Sequence, residues 1–499
     1  MVRFALTIYP YSLVAALLVL VLTIPAAAFE SEFGGYWRTR SFSEWGFTGA
    51  SDASSANTSN AKDTERIDTR TRLFYTAKFS DNLKFVNKFE MNATWGGSVG
   101  TRNSTYGDGG ISTGNGTATY GQLAADGANF VVKNSYVDFK LAQQRFTVGV
   151  QDFTLARGYL VDDDAAGVKA IFKVNDAIYL PLVYVKLYEG GSGWVVNNGV
   201  NTNADNFDFD AYVFYPSIFL NKDNVFKPHV AYLASENFTR FQTKGLSNAQ
   251  LDPLNPLQPT KLGLWTAGLE YDGKFDIFTV GATGIGEFGS VNINPNTNPY
   301  HKDNITFNGY LFDLRGSVDL GPANIHVKGI YASGDGKGDL VRTGSDYGFL
   351  VPGYTNNVGG SINNFDQSNW AEIMGCGMFD YQFPSGALGT QITNAWIGGL
   401  GGSYKLLQDL KFSADIWYAH AADSITTWFT ANGTPQYTDY YGTELDVKVT
   451  YMLVDNLKLD LVGAYLWAGD VIQKSTWTTT YQPTGANPVE IGAQLSLAF

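Results

Sequence analysis

Cysteine is almost missing from this chain: Cys376 is the single one in 499 residues. One thiol forms no intramolecular disulfide and no thiolate metal cluster, and no Cys-x-x-Cys-His segment is present to attach haem. Histidine is nearly as scarce. His229, His301, His326 and His420 are widely scattered, with no His-Glu-x-x-His pair among them, so no cofactor or metal centre is expected. Charged residues make up only 16%, below the roughly 25% of an average soluble protein. The balance is acidic, 34 Lys+Arg against 47 Asp+Glu, a net charge of −13, which excludes a basic nucleic-acid binder at the whole-chain level. After residue 28, no stretch reaches the roughly eighteen continuous apolar residues of a spanning helix.

What the chain has instead is aromatic residues and glycine: 29 Tyr, 33 Phe, 11 Trp and 55 Gly. Mean hydropathy is close to neutral, at −0.12. A wall with one lipid face and one watery face gives that balance, with aromatics at the two interfaces. The pattern along the chain agrees. Leu83, Phe85, Phe89, Met91, Ala93 and Trp95 alternate with Lys84, Lys88, Glu90, Asn92 and Thr94. Leu73, Tyr75, Ala77 and Phe79 oppose Asp68, Arg70, Arg72 and Lys78; Leu457, Leu459, Leu461, Tyr465 and Trp467 oppose Lys458 and Asp460. Period two over such lengths is a tilted strand long enough to cross a bilayer.

Short turns are expected at 80–82, 142–144, 174–176, 272–273, 319–323, 408–409 and 454–456. The phrase Asp81-Asn82-Leu83-Lys84 returns as Asp455-Asn456-Leu457-Lys458; Asp and Asn supply the local backbone bonds and positive φ of hairpin turns. Long connections rich in Gly, Ser, Thr and Asn are expected near 47–66, 96–129, 189–206, 236–260, 289–306, 334–392, 421–439 and 469–488. Alternating short and long connections predict a closed transmembrane antiparallel β-barrel of about eighteen strands, all-β, with short periplasmic turns and long external loops. No blade repeat of fixed period suggests a propeller. The stretch 160–190 is ambiguous, because Ala177-Ile178-Tyr179-Leu180 is continuously apolar and Pro181 follows.

Both ends fit export. Arg3, an apolar run from Leu13 to Ile24, Pro25 and Ala26-Ala27-Ala28 read as a signal peptide over 1–28, leaving 29–499 as one barrel domain. At the other end, Ile491, Ala493, Leu495, Leu497 and Phe499 share one face of a last strand. A terminal aromatic closing such a strand resembles the assembly signal of Gram-negative outer-membrane barrels. That resemblance implies the cell outer membrane, with its lipid and lipopolysaccharide and the barrel assembly machinery, as surroundings and partners.

If the apolar face meets lipid, Arg38, Arg40, Arg70, Arg72, Lys84, Lys88, Lys140 and Arg145 face the lumen from five successive strands. Strands lie about 4.8 Å apart, so these cations would line one wall, concentrating anions or pairing with Asp68, Glu90 and Asp138 to brace it. Asp162-Asp163-Asp164 falls between two strand candidates; as an inward loop it would set an acidic patch against the basic wall, and exposed outside it would be a solvated charge cluster or a weak cation site with oxygen ligands. Gly334-Asp335-Gly336-Lys337-Gly338-Asp339 only superficially resembles a calcium loop, since it lacks the bidentate Glu. The segment 334–392, with Trp370, Phe379, Tyr381 and Phe383, suits a loop folded into the lumen better than an external arm. His326 and His420 have no Gly-x-Ser-x-Gly context, so catalysis is not expected.

The phrases Asp68-Thr-Arg-Thr-Arg72-Leu-Phe-Tyr, Tyr136-Val-Asp-Phe-Lys140 and Phe146-Thr-Val-Gly-Val-Gln151 resemble early strands of alginate-export-like porins. They are also similar to the OmpJ-like channel proteins of metal-reducing deltaproteobacteria. The second resemblance implies passive diffusion of small hydrophilic solutes, with an indirect role in envelope integrity and extracellular electron transfer. The first implies an export route for anionic polysaccharide. A sheath around a multihaem cytochrome partner and a homotrimer are further arrangements such resemblances bring in.

Overall fold

The computed structural model describes residues 29–47, 64–95, 129–188, 208–235, 261–293, 303–335, 344–350, 354–355, 361–362, 370–375, 377–379, 384, 386–389, 392–429, 434–474 and 486–499. Residues 1–28, Cys376, Tyr381, Phe383 and Gly336–Asp339 therefore lie outside the described residues, as do the expected signal peptide and most of the calcium-like segment.

The first half of the wall comprises β1 (Glu30–Trp45), β2 (Thr64–Ser80), β3 (Leu83–Thr94), β4 (Asn129–Leu141), β5 (Gln144–Leu155), β6 (Val161–Lys173) and β7 (Ile178–Tyr188). Then come β8 (Phe209–Phe214), β9 (Ser217–Asn221), β10 (Asn224–Ser235), β11 (Leu262–Phe275), β12 (Phe278–Asn292), β13 (Asn304–Phe307), β14 (Tyr310–Leu320) and β15 (Ala323–Ala332). Three short pieces, β16 (Ser345–Asp346), β17 (Tyr354–Thr355) and β18 (Ser361–Ile362), precede β19 (Ala395–Lys405), β20 (Leu410–Phe429), β21 (Pro435–Val454), β22 (Leu457–Ala468), a helical turn α1 (Asp470–Lys474) and β23 (Val489–Ala498).

Every wall pairing is antiparallel, and β1 pairs with both β2 and β23, which closes the ring. The main sheet holds 21 segments. Of these, β9 continues β8 past Tyr215-Pro216, β13 continues β14 across a two-residue break, and β16 pairs only inside, leaving eighteen wall strands. The first and last strands meet at the short-turn end, where Phe499 and Gly35 exchange backbone bonds of 2.7 and 3.1 Å.

The outer face carries what a bilayer requires. Leu314, Val327, Leu400, Ile416 and Leu461 are exposed along its middle. Aromatic pairs stand at the short-turn end, Phe139–Phe146 stacked at 5.4 Å and Phe33–Tyr75 tilted at 5.0 Å. Tyr232–Trp265 at 4.6 Å and Tyr465–Trp467 at 4.8 Å stand toward the loop end. An apolar band between two aromatic girdles is the signature of an outer-membrane barrel.

Three expectations change. The turn expected at 272–273 lies inside β11, which runs to Phe275 and turns at Asp276-Ile277. The connection expected over 421–439 is mostly strand, because β20 and β21 extend to Phe429 and back from Pro435. The ambiguous stretch 160–190 is two strands, β6 and β7, and β7 runs through Pro181.

Candidate functional site

The lumen is narrowed from two sides, and glycine places the first infold. Gly149 and Gly167 sit opposite each other on β5 and β6. β4 pairs with β5 only as far as Ser135↔Val150, and β7 pairs with β6 only from Ala166↔Lys186. Beyond that level Gln151–Leu155 pairs with Val161–Ala165 alone, so the hairpin leaves the wall. At Gly149 φ is +132°, and a Cβ would stand 2.4 Å from the Ser135 carbonyl oxygen; at Gly167 it would stand 2.4 Å from that of Tyr184. Both neighbours are backbone, so no larger residue fits without moving the wall.

One face of the freed hairpin is apolar. Phe153, Leu155, Ala156, Tyr159 and Leu160 are buried together with Val183, Val185, Phe209, Leu233, Leu262 and Leu264 from the inner faces of β7 to β11. The tip is fastened further along the wall. Arg157 donates from Nε to Thr283 Oγ1 (2.7 Å) and from Nη2 to Asp272 Oδ1 (2.6 Å) and the Tyr271 carbonyl (2.8 Å). Tyr159 donates its hydroxyl to Asp313 Oδ2 at 2.6 Å. Burial, reinforced by the Asp313 charge, holds the Tyr159 phenol well above its usual 10, so it stays a donor.

The opposite face is polar and contains two of the three expected aspartates. Asp162, Asp163 and Asp164 are not a loop; they open β6, because the hairpin gives them the partners Thr154, Phe153 and Asp152. Asp164 accepts from Asn134 Nδ2 (2.6 Å) and pairs with Lys133 Nζ (2.7 Å), while Asp152 lies 3.5 Å from Lys88 Nζ. Asp162 accepts from Thr154 Oγ1 at 2.6 Å. Alternation puts Asp163 on the other face, where its carboxylate accepts the Asp164 N–H at 2.7 Å.

The second infold lies between β15 and β19. Trp370, Ile373, Met374 and Phe379 are buried against the inner wall, with Trp370 edge-on to Trp417 at 5.7 Å and Phe379 stacked on Phe42 at 5.0 Å. Glu444 accepts from the N–H groups of Ile373 (2.6 Å) and Met374 (2.8 Å), and Arg40 Nη1 donates to the Met378 carbonyl at 3.0 Å. Glu372 accepts the Met378 N–H at 2.6 Å, and burial raises its carboxyl above the usual carboxylate range. The segment expected inside is inside, over its described residues.

The basic residues share the inner face, mostly neutralised in pairs. Arg40 Nε reaches both Asp68 oxygens (2.9 and 3.0 Å), with Arg66 3.5 Å from the same carboxylate. Arg72 (2.6 Å) and Arg70 (3.5 Å) share Glu90; Arg145 (2.9 Å) and Lys84 (3.7 Å) share Asp138. Arg38 is buried opposite Arg70. Lys140, at the turn end, is exposed and makes no ion pair among the described residues. Sequence patterning missed the cations elsewhere. Lys169, Lys328 and Lys448 face inward from β6, β15 and β21, and none has an ion pair among the described residues. Alternation alone could have found them, since each shares a face with a buried inner residue.

A closed, aromatic-girdled barrel of eighteen strands with two lumen infolds defines an outer-membrane channel fold. Solved structures share it. Pseudomonas aeruginosa OccK8 (OprE) matches over 94% of this chain and 98% of its own at 10% identity, TM-score 0.50. Acinetobacter baumannii OccAB1 matches over 94% and 97% at 11% identity, TM-score 0.50. No protein-family model matches the chain, and no curated protein matches it in sequence.

Proposed function

We propose that the protein is an outer-membrane channel for passive diffusion of small hydrophilic solutes, leaning toward anions. The observation that carries the anion preference is the set of inward lysines without ion pairs among the described residues, Lys169, Lys328 and Lys448. The arginine wall is largely balanced by Asp68, Glu90 and Asp138 and braces the barrel. The net charge of −13 does not decide selectivity. Charges more than a Debye length (about 8 Å in physiological salt) from the path are screened, and those lining it act directly on the ion. The named structural relatives support a channel fold only; the solute and the preference rest on the lumen.

The two infolds weigh against the other arrangements. A sheath for a multihaem cytochrome, or a route for an anionic polysaccharide, needs a wide lumen, and here aromatic and aliphatic side chains pack inside the wall. An electron-transfer role is therefore proposed only as the indirect one of envelope integrity.

Reversal potential across a planar bilayer under a salt gradient tests the reading. The unmodified channel should prefer anions, more at low salt than at high. Lys169, Lys328 and Lys448 changed together to Gln should shift it toward cations. Arg38, Arg70 and Arg72 changed to Gln should shift it as well, because Glu90 then loses both guanidinium partners. A channel that prefers cations before any substitution sinks the proposal.

A further inference from the structure

Arg315 on β14 and Lys328 on β15 stand directly opposite each other in the antiparallel register. Like charges so placed destabilise a strand pair. Asp313 makes a direct ion pair with only one of them. Its carboxylate takes the Arg315 guanidinium and also accepts the Tyr159 hydroxyl, whereas Lys328 makes no ion pair or hydrogen bond among the described residues.

A third cation is brought to this place at a conformational cost. Ala156 and Arg157, at the hairpin tip, have φ of 53° and 54°, a left-handed conformation that L-residues avoid. The turn aims Arg157 at Gly281 on β12. A Cβ there would stand 2.8 Å from Arg315 Cγ and 3.2 Å from Arg157 Nη2, so both arginines pass close over this glycine. Lys328 lies within the field of both guanidinium groups. Nearby, Asp272 serves Arg157 and Lys227, and Glu270 is 4.0 Å from Arg157. Four cations (Arg157, Arg315, Lys328, Lys227) thus meet three carboxylates (Asp272, Asp313, Glu270), and one positive charge is left over. Lys328 is partly exposed, and the Arg315 side chain is 29% exposed, so the lumen reaches them.

We propose that Arg157, Arg315 and Lys328 form an oxyanion station on the wall beneath the hairpin tip, which takes one carboxylate or phosphate group of a passing solute. The exchangeable anion supplies the counter-charge that the chain omits. This rests on the anion-leaning channel proposed above and names the chemical group recognised.

Inorganic phosphate is the probe. The purified full-length channel is held in a planar bilayer in potassium chloride, and phosphate is added on the short-turn side while chloride current is recorded. Wild type should show concentration-dependent block. Lys328→Gln should raise the half-blocking concentration about tenfold, the scale of one lost charge-assisted hydrogen bond. Lys328→Arg should keep the block. Lys222→Gln removes the same charge from the exposed turn between β9 and β10, away from the guanidinium pair, and should change the half-blocking concentration less than about twofold by that scale. Heat-modifiable mobility checks that each variant folds; if Lys328→Gln does not fold, loss of block in a folded Lys328→Arg variant overturns the station. Absence of block in wild type overturns it, as does equal block in Lys328→Gln, or equal relief in Lys222→Gln. An anion-selective channel with any of these results leaves the channel reading standing, whereas cation selectivity of wild type sinks both.

Discussion

Releasing the β5–β6 hairpin should open the lumen, and the two kinds of contact that hold it differ in size. The apolar face buries Phe153, Leu155, Tyr159 and Leu160. At about 1.5–3 kcal/mol for each large side chain, that contributes on the order of 10 kcal/mol. The Arg157 fastening is smaller. Its hydrogen bonds involve a charged donor, worth about 1.5–3 kcal/mol net apiece, and the partners Asp272 and Thr283 regain water or Lys227 when it leaves. Arg157→Gln should therefore leave the hairpin docked and the mean single-channel conductance nearly unchanged. Phe153→Ala with Leu160→Ala removes about 5–10 kcal/mol from the packing, enough to populate the undocked hairpin and raise conductance severalfold. Planar-bilayer recording of the two variants side by side makes the comparison. If Arg157→Gln opens the channel as far as the double alanine variant, polar fastening rather than apolar burial holds the partition, and the reasoning fails.

Deleting Phe499, whose ring lies over Gly35, should slow assembly and weaken the heat-modifiable band; unchanged insertion would refute a role for the terminal aromatic. Leu461→Arg, on an outward residue 46% exposed at mid-strand, should cost about 2–4 kcal/mol in reversible folding, and a neutral outcome would mean that face does not meet the bilayer midplane. The buried Glu372 carboxyl is raised above its usual 4.5, so its contribution to docking is complete below the unfolded pKa and is lost as pH rises through the folded one. Lowering the pH from 7 toward 5 should therefore increase hydrogen-exchange protection around Met378, after correction for intrinsic rates. Glu372→Gln should reduce that dependence, leaving the contributions of Glu444, Asp446, Glu490, Asp415, Lys448 and Asp460, which also act on this group. A fall in protection on acidification would contradict the sign.

Strands were legible wherever one face meets lipid and the other water, as in β2, β3, β22 and β23. The signal faded between 160 and 190 for a physical reason. The inner faces of β7 and β8 lie under the hairpin, so Val183, Val185, Phe209 and Ala211 are apolar inside while their neighbours are apolar outside. Two apolar faces erase period two. Asp162 to Asp164 misled in the opposite direction, since three consecutive carboxylates belong in a wall strand only where that strand has left the lipid. The basic residues of β1 to β5 were legible as an inward set, but pairing partners such as Asp152 and Asp164 depend on a bend set by Gly149 and Gly167, which one sequence does not reveal. Arg157 and Tyr159 carried no local signal, because their partners lie more than a hundred residues away.

The departure of two strands from the wall has a bearing on how deep the barrel sits. Counted at the short-turn end the ring has eighteen strands; above Gly149 and Gly167 sixteen remain in the wall, eighteen less the two that turn inward. Among the described residues no ladder joins Asn129–Asn134 of β4 to β5 or β7 there, so β4 presents an unpaired edge. Hydrocarbon offers such N–H and C=O groups nothing to bond. On that flank, the glycine pair thus marks the level above which β4 cannot meet hydrocarbon bare, so the backbone sets a limit on depth beside the one the aromatic girdles set.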